Sequence, residues 1–226
     1  MTDRRAFLRL AAGAGGASLV AACRPLLLDV SRLNDWVGEK VLFSPGRLAR
    51  QYDVSERTAR LPSYFISRMT PMLQDPAAWR LHVDGLVRRP QQLSLDDLRA
   101  LPRTTYTVKH HCVEGWSAIA TWHGVAVSAI AERCELLPGA RYVRFDSFDS
   151  GYFNGWDLAS AMHPQTILAY GMNDNPLPAA HGAPLRLYAP TKLGYKMTKY
   201  LVSMTFTADR PGGYWEDQGY PWFAGV

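Results

Sequence analysis

Apolar residues in this chain come in short alternating runs broken by Gly, Pro and Asp, and seldom at helical spacing. Trp79, Leu81 and Val83 alternate before Asp84-Gly85, as a strand entering a turn does. Ser94-Leu95-Asp96-Asp97 has the form of a helix N-cap, so a short helix is predicted there, ending near Leu101-Pro102. Thr104 to Lys109 is β-rich and delivers Cys112 at its end. Val125 to Leu136 has the spacing of an amphipathic helix, and Tyr142 to Phe145 that of another strand. Leu185, Leu187 and Tyr188 predict a further strand, and Tyr200 to Phe206 a last one. Ahead of these, Leu26 to Val41 is helix-compatible up to a break at Pro45-Gly46. Residues 44–78, with Pro62, Pro71 and Pro76, read as irregular chain wrapped over a surface. No internal repeat and no second core emerges. The expectation is a single mixed α+β domain over 61–226, an N-terminal arm over 24–60, and a separate segment over 1–23.

That first segment has a character of its own. Arg4-Arg5 with Phe7-Leu8, followed by a small apolar run from Leu10 to Ala22, has the form of a twin-arginine leader. The run is too short and too rich in Ala and Gly for a spanning helix, which needs about 20 apolar residues. Export of folded cargo to the periplasm is the expectation, and it suits a protein that acquires a cofactor before it leaves the cytoplasm. Val20-Ala21-Ala22-Cys23 also has the form of a lipobox, which would put lipid on Cys23; ordinary cleavage nearby is the alternative.

Composition adds limits. With 226 residues, 47% hydrophobic and 20% charged, the chain is globular. Arg4, Arg5 and Arg9 against Asp3 hold two of the formal +5 charges, so about +3 remains for the rest. No basic run interleaved with aromatics points to nucleic acid. The mild excess would help an anionic ligand. Because no Cys-x-x-Cys-His occurs, no covalently attached c-type haem is expected in this chain.

The cysteines are Cys23, Cys112 and Cys134. Cys112 opens Cys-Val-Glu-Gly-Trp-Ser, directly after His110-His111. A thiolate there can ligate a soft metal or act as a nucleophile. An oxidising compartment also permits a Cys112–Cys134 disulfide, in which case the protein would be a non-enzymatic, lipid-anchored module. Cys134, within an apolar pattern, reads as a core residue. His110 and His111 are candidate proton donors, but on a strand they point to opposite faces, so at most one serves the site.

The run around Cys112 resembles the metal-ligand segment of the sulfite oxidase family of molybdopterin enzymes. Four further stretches are similar in family order: Trp79-Arg-Leu-His-Val-Asp-Gly with Leu93-Ser-Leu-Asp-Asp-Leu; Trp122-His-Gly-Val, resembling the turn after the ligand cysteine; His181-Gly-Ala-Pro-Leu-Arg-Leu with Lys192-Leu-Gly-Tyr-Lys-Met-Thr-Lys; and Pro211-Gly-Gly-Tyr-Trp-Glu-Asp. Together they span roughly residues 60 to 220. In character the chain is most similar to exported catalytic subunits of periplasmic methionine sulfoxide reductases.

The resemblance implies the family's molybdopterin-binding fold and a molybdenum cofactor ligated by Cys112. It implies oxygen-atom transfer, with Glu114, His111 and Lys196 close to the chemistry. Cofactor contacts would come from Tyr64 and Phe65 beside Ser63, from Ser147, from His181, and from Arg186 and Lys199. Gly182 and Gly194 would let backbone approach the cofactor phosphate, and Met197 and Thr198 would lend backbone amides. Only 16 residues follow Arg210, so the family's C-terminal dimerisation domain is expected to be missing, leaving a monomer or a hetero-complex subunit. The electron partner would be external, a membrane haem protein or a cytochrome. A carboxylate at Glu114 disfavours a dianion beside it. The expected substrate is therefore a neutral S-oxide or N-oxide such as methionine sulfoxide, small or peptide-borne; sulfite oxidation is the alternative.

Overall fold

Leu81 and Val83 point into the core from β1 (Leu81–Gly85), while His82 and Asp84 face outward. The structure, a computed structural model, describes residues 32–226 apart from 74, 76 and 150. The twin-arginine segment, Cys23 and the start of the helix expected over Leu26–Val41 lie outside the described residues. What is described of that helix is α1, over 32–42, which widens to π-helical turns at Gly38–Leu42. Irregular chain follows to residue 80, as expected, interrupted by a 3-10 turn at Val54–Glu56.

After β1 come β2 (Gln91–Leu93) and α2 (Leu95–Arg99). The cap of α2 is reciprocal: Asp97 N–H donates to Ser94 Oγ at 3.1 Å, and Ser94 N–H donates to the Asp97 carboxylate at 2.9 Å. The chain continues through β3 (Arg103–His111), β4 (Ser117–Ala126), α3 (Val127–Cys134), β5 (Tyr142–Ser147), β6 (Phe153–Asp157) and α4 (Leu158–Ala161). It ends in β7 (Ile167–Met172), β8 (Asn175–Pro176), β9 (Arg186–Tyr188) and β10 (Leu201–Thr207), followed by the 211–226 segment.

One sheet runs β2-β1-β10-β5-β6; the other runs β3-β4-β7-β8, with β9 also on β7. Among the described residues, only β1 and β10 pair in parallel. The main core gathers Leu81, Val83, Phe145 and Met204 from the first sheet, Val125, Leu168 and Leu187 from the second, and Ile130 from α3. A second cluster, Tyr106, Val108, Trp122, Ile167 and Tyr188, covers the opposite face of the second sheet. β7 therefore supplies both cores, Leu168 and Tyr170 to one and Ile167, Ala169 and Met172 to the other. All six of its residues are buried. Each such aliphatic or aromatic side chain contributes roughly 1.5–3 kcal/mol on full burial.

Two expectations change here. Trp122-His-Gly-Val is not a turn but the second half of β4, paired with β7 through Gly124 and Ala169. A Cβ on Gly124 would sit 2.0 Å from the Leu168 carbonyl oxygen, so the glycine permits close strand approach. The helix expected from Val125 accordingly begins only at Val127. Cys134 is fully buried in the main core and Cys112 stands at the tip of the β3–β4 hairpin; both are free thiols. The disulfide alternative has no support in this arrangement.

Candidate active site

β3 and β4 form a hairpin whose tip is the Cys112 motif. Cys112 N–H donates to the Trp116 carbonyl at 3.0 Å, and Gly115 N–H donates to the Cys112 carbonyl at 3.1 Å. Gly115 has φ +88, a conformation that favours glycine. The turn aims Cys112, Glu114 and Trp116 into a cavity of about 500 Å³. Glu114 Oε2 accepts from Trp116 Nε1 at 3.0 Å and lies 3.9 Å from Cys112 Sγ. Burial, helped by the Glu114 charge, pushes the Cys112 thiol above its ordinary pKa. That is unfavourable for a free nucleophile and no obstacle to a metal, which takes the proton's place.

Strand alternation decides between the two histidines. His110 lines the cavity, stacked on Tyr188 with centroids 6.0 Å apart, and burial drops its pKa to about 3. The next residue along the strand, His111, lies outside the cavity lining, where His110 stands instead.

Across the cavity lies a set of cations. Arg186, at 5% exposure, extends from β9 over the Trp122 ring at 4.9 Å and donates to the His181 carbonyl at 3.0 Å. Lys199 Nζ donates to the Ala180 carbonyl at 3.1 Å. Neither cation makes an ion pair among the described residues. Asp149 also lines the cavity, but it accepts from Ile66 N–H at 3.2 Å and from Ser67 Oγ. Burial lowers Arg186 to about 10. Burial and then the Arg186 charge bring Lys199 to about 7; the same causes, with Lys199 added, bring His181 to about 4. At Gly182, φ is +106 and a Cβ would lie 2.8 Å from the Lys199 stem. Glycine lets the lysine cross there.

A depressed lysine gives a signed prediction. Below its folded pKa of about 7, Lys199 is charged in both states and its burial weakens the fold. Between there and the unfolded value of about 10.4 the folded state alone is deprotonated, so stability rises with pH. Lys192, which burial brings to about 7, contributes in the same window. The melting temperature of cofactor-free protein should therefore rise from pH 7 to 10, and less so in Lys199→Met.

The other expected residues divide. Ser63, Tyr64, Phe65, Ser147, Gly194 and Met197 line the cavity. Thr198 does not; its carbonyl accepts from Leu187 N–H at 2.8 Å. The amide expected from Met197 is engaged, since it donates to the Gly194 carbonyl at 3.1 Å. Lys196 is a clearer correction. Its ammonium, 1% exposed, donates to the Gly155 carbonyl at 2.9 Å and pairs with buried Glu216, outside the cavity. Lys196→Met strands that carboxylate, so a loss of about 3–5 kcal/mol of stability is expected, measurable by denaturant unfolding.

Sequence reasoning missed one wall. Residues 211–223 run back over β6 and supply Tyr214, Trp215 and Tyr220 to the cavity, beside Tyr152, Tyr195 and Tyr200. Asp35 of α1 fastens this strap by accepting from Trp222 N–H at 2.8 Å and Phe223 N–H at 2.7 Å. Lys192 Nζ donates to the Phe223 carbonyl at 2.8 Å, and Tyr195 OH to that of Pro221 at 2.7 Å. The Tyr-Trp pair after Gly212-Gly213 was the available signal.

These residues suit a molybdenum–pterin group. Among the described residues, no three His, Cys, Asp or Glu side chains group as a metal site. A metal held through Cys112 must thus bring most of its ligands with it, as a dithiolene does. Arg186, Lys199 and His181 offer charge-assisted donors to a phosphate. The buried Tyr200 hydroxyl and His110 Nδ1 have no partner among the described residues, and both residues line the cavity.

Fold and cavity together define a molybdopterin-binding oxidoreductase. Residues 68–215 match the family described as the oxidoreductase molybdopterin binding domain, and the chain belongs to it. Among its relatives is YedZ1 of Azospira oryzae, whose name places it in a protein-methionine-sulfoxide reductase; it is 41% identical, over 98% of this chain and 87% of that one. The protein-methionine-sulfoxide reductase catalytic subunit MsrP of Campylobacter jejuni is 29% identical, over 99% and 80%. The oxidoreductase YuiH of Bacillus subtilis is 35% identical, over 67% and 79%. In fold the chain is similar to the sulfane dehydrogenase SoxCD of Paracoccus pantotrophus, with a TM-score of 0.58 at 21% identity. That likeness covers 62% of this chain and 40% of the SoxCD chain.

Proposed function

We propose that the protein reduces methionine sulfoxide, preferably on polypeptides, at a molybdenum cofactor ligated by Cys112. When bound, that cofactor supplies two-electron oxygen-atom transfer. Cys112 Sγ gives the metal its protein ligand, and Arg186, Lys199 and His181 hold the phosphate. His110, neutral and stacked, offers a ring nitrogen to the pterin. Trp116, tethered by Glu114, and the ring of Tyr64 at 6.3 Å from it form one side of the substrate mouth. Trp215 and Tyr220, whose centroids are 5.3 Å apart, form another. Such aromatic surfaces receive a thioether-like side chain and exclude water around it.

The observation that carries this reading is Glu114 beside the thiol, with Lys196 withdrawn into its own ion pair. A carboxylate next to the reacting centre opposes a dianion such as sulfite and tolerates a neutral sulfoxide. The names of YedZ1 and MsrP support the same substrate class. With residues 1–23 as a twin-arginine leader, 24–60 as an arm and 61–226 as the catalytic domain, the protein would work in the periplasm, held to the membrane if Cys23 is lipidated. It would take electrons from an external membrane haem protein or cytochrome, alone or as a hetero-complex subunit.

The test is direct. Holoenzyme with a reduced viologen dye should oxidise the dye when given N-acetylmethionine sulfoxide. Turnover of sulfite with an electron acceptor, and none of the sulfoxide, would overturn the assignment.

A further inference from the structure

Six methionines fall among the described residues, and their burial is sharply divided. Met172, Met197 and Met204 are buried, and Met162 packs against the main core. Met69 and Met72 are 80% and 71% exposed. They are the two most exposed of the large hydrophobic side chains among the described residues, and they lie three residues apart on one short segment. That segment has no helix or strand. It begins where Ile66 N–H and Ser67 Oγ bond Asp149, itself a cavity residue, and Leu73 anchors its other side on the main core. Leu61 to Ile66, immediately before it, line the cavity. Three residues span at most about 10 Å, so Met69 stands close to the cavity wall.

Exposure governs methionine oxidation, so an oxidant reaches these two sulfurs before the other four, three of them buried and Met162 partly so. An unpaired loop can leave its surface far more readily than a strand, which a side chain entering a cavity requires. Resting on the sulfoxide-reducing function above, we propose that Met69 and Met72 are oxidation sites whose sulfoxides are substrates for this protein's own catalytic centre. Oxidant adds one oxygen to the thioether sulfur. Reduction breaks that S–O bond with two electrons, delivered singly by a low-potential donor, and two protons, releasing water and restoring the thioether. The rim of the site then acts as a renewable trap for oxidant in front of Cys112 and Trp116.

Holoenzyme is treated with hydrogen peroxide without electron donor, and sulfoxide at each methionine is quantified by peptide mass spectrometry. Reduced viologen dye is then added, with Cys112→Ser protein in parallel and N-acetylmethionine sulfoxide present as an internal standard. Oxygen should appear at Met69 and Met72 ahead of the other four. After dye, about half or more should disappear from both in wild type, since each sulfoxide forms as two epimers. It should persist in Cys112→Ser. Persistence at Met69 and Met72 in a wild-type sample that consumes the added sulfoxide would overturn this inference alone. Failure to consume either would sink the proposed function as well. Oxidation of buried methionines first would also overturn it.

Discussion

Cys112→Ala should lower sulfoxide turnover on the order of 10³-fold or more, equivalent to about 4 kcal/mol at ~1.4 kcal/mol per decade. Among the described residues the thiol makes no ion pair, its side chain faces Glu114 at 3.9 Å, and it stands at a hairpin tip fixed by the Cys112 and Gly115 amides. Removing it leaves those bonds in place, so the melting temperature should scarcely move. The cations opposite remain able to hold the phosphate, so much of the pterin should stay bound while the metal's electronic spectrum changes. Equal metal spectra in wild type and variant would show that Cys112 is not a ligand. An unchanged rate would remove it from the chemistry altogether.

Arg186→Met should move two quantities in opposite directions. In cofactor-free protein Arg186 is a buried cation whose bonds go to backbone carbonyls, at a cost reflected in its lowered pKa. Replacing buried ion pairs by apolar side chains of similar volume can stabilise a fold by about 1–4 kcal/mol, and replacing this cation, unpaired among the described residues, should act in the same direction. Lost contact with the Trp122 and Tyr188 rings takes back about 0.5–2 kcal/mol of this. The same change removes a charged donor from the phosphate and should weaken cofactor retention by about 2–5 kcal/mol. Thermal unfolding without cofactor and molybdenum per chain after dialysis measure the two effects. A variant that melts lower and still keeps its molybdenum would refute the assignment of Arg186 as a phosphate ligand.

Local signals carried much of the fold. β1, the α2 cap, β5 and β10 follow from alternation and from one capping box, each a property of consecutive residues. β7 was missed because both its faces are buried, so Ile167 to Met172 shows no alternation to detect. β6 was missed because its polar residues serve other segments: Asn154 Nδ2 donates to the Tyr195 carbonyl at 2.9 Å. In the site, Cys112, Glu114, Arg186 and His181 were legible because motif and order hold them together. Lys196 was misplaced because only the return of Glu216 from the strap, twenty residues on, shows where its ammonium goes. His110 lines the cavity in place of His111 through strand phase, which motif spacing leaves open.

The strap also bears on the order in which the protein can be completed. In chain order the residues of both sheets, of the Cys112 hairpin and of the cation cluster are all in place by β10, ahead of the wall of Tyr214, Trp215 and Tyr220. Helix α1, made before every strand, must wait for the amides of Trp222 and Phe223, made after every strand, to occupy Asp35. Until those bonds form, the nascent site is an open trough. A preassembled cofactor would then have a broad route in from the side that the strap covers, and the bonding of Asp35 to the strap would end that window.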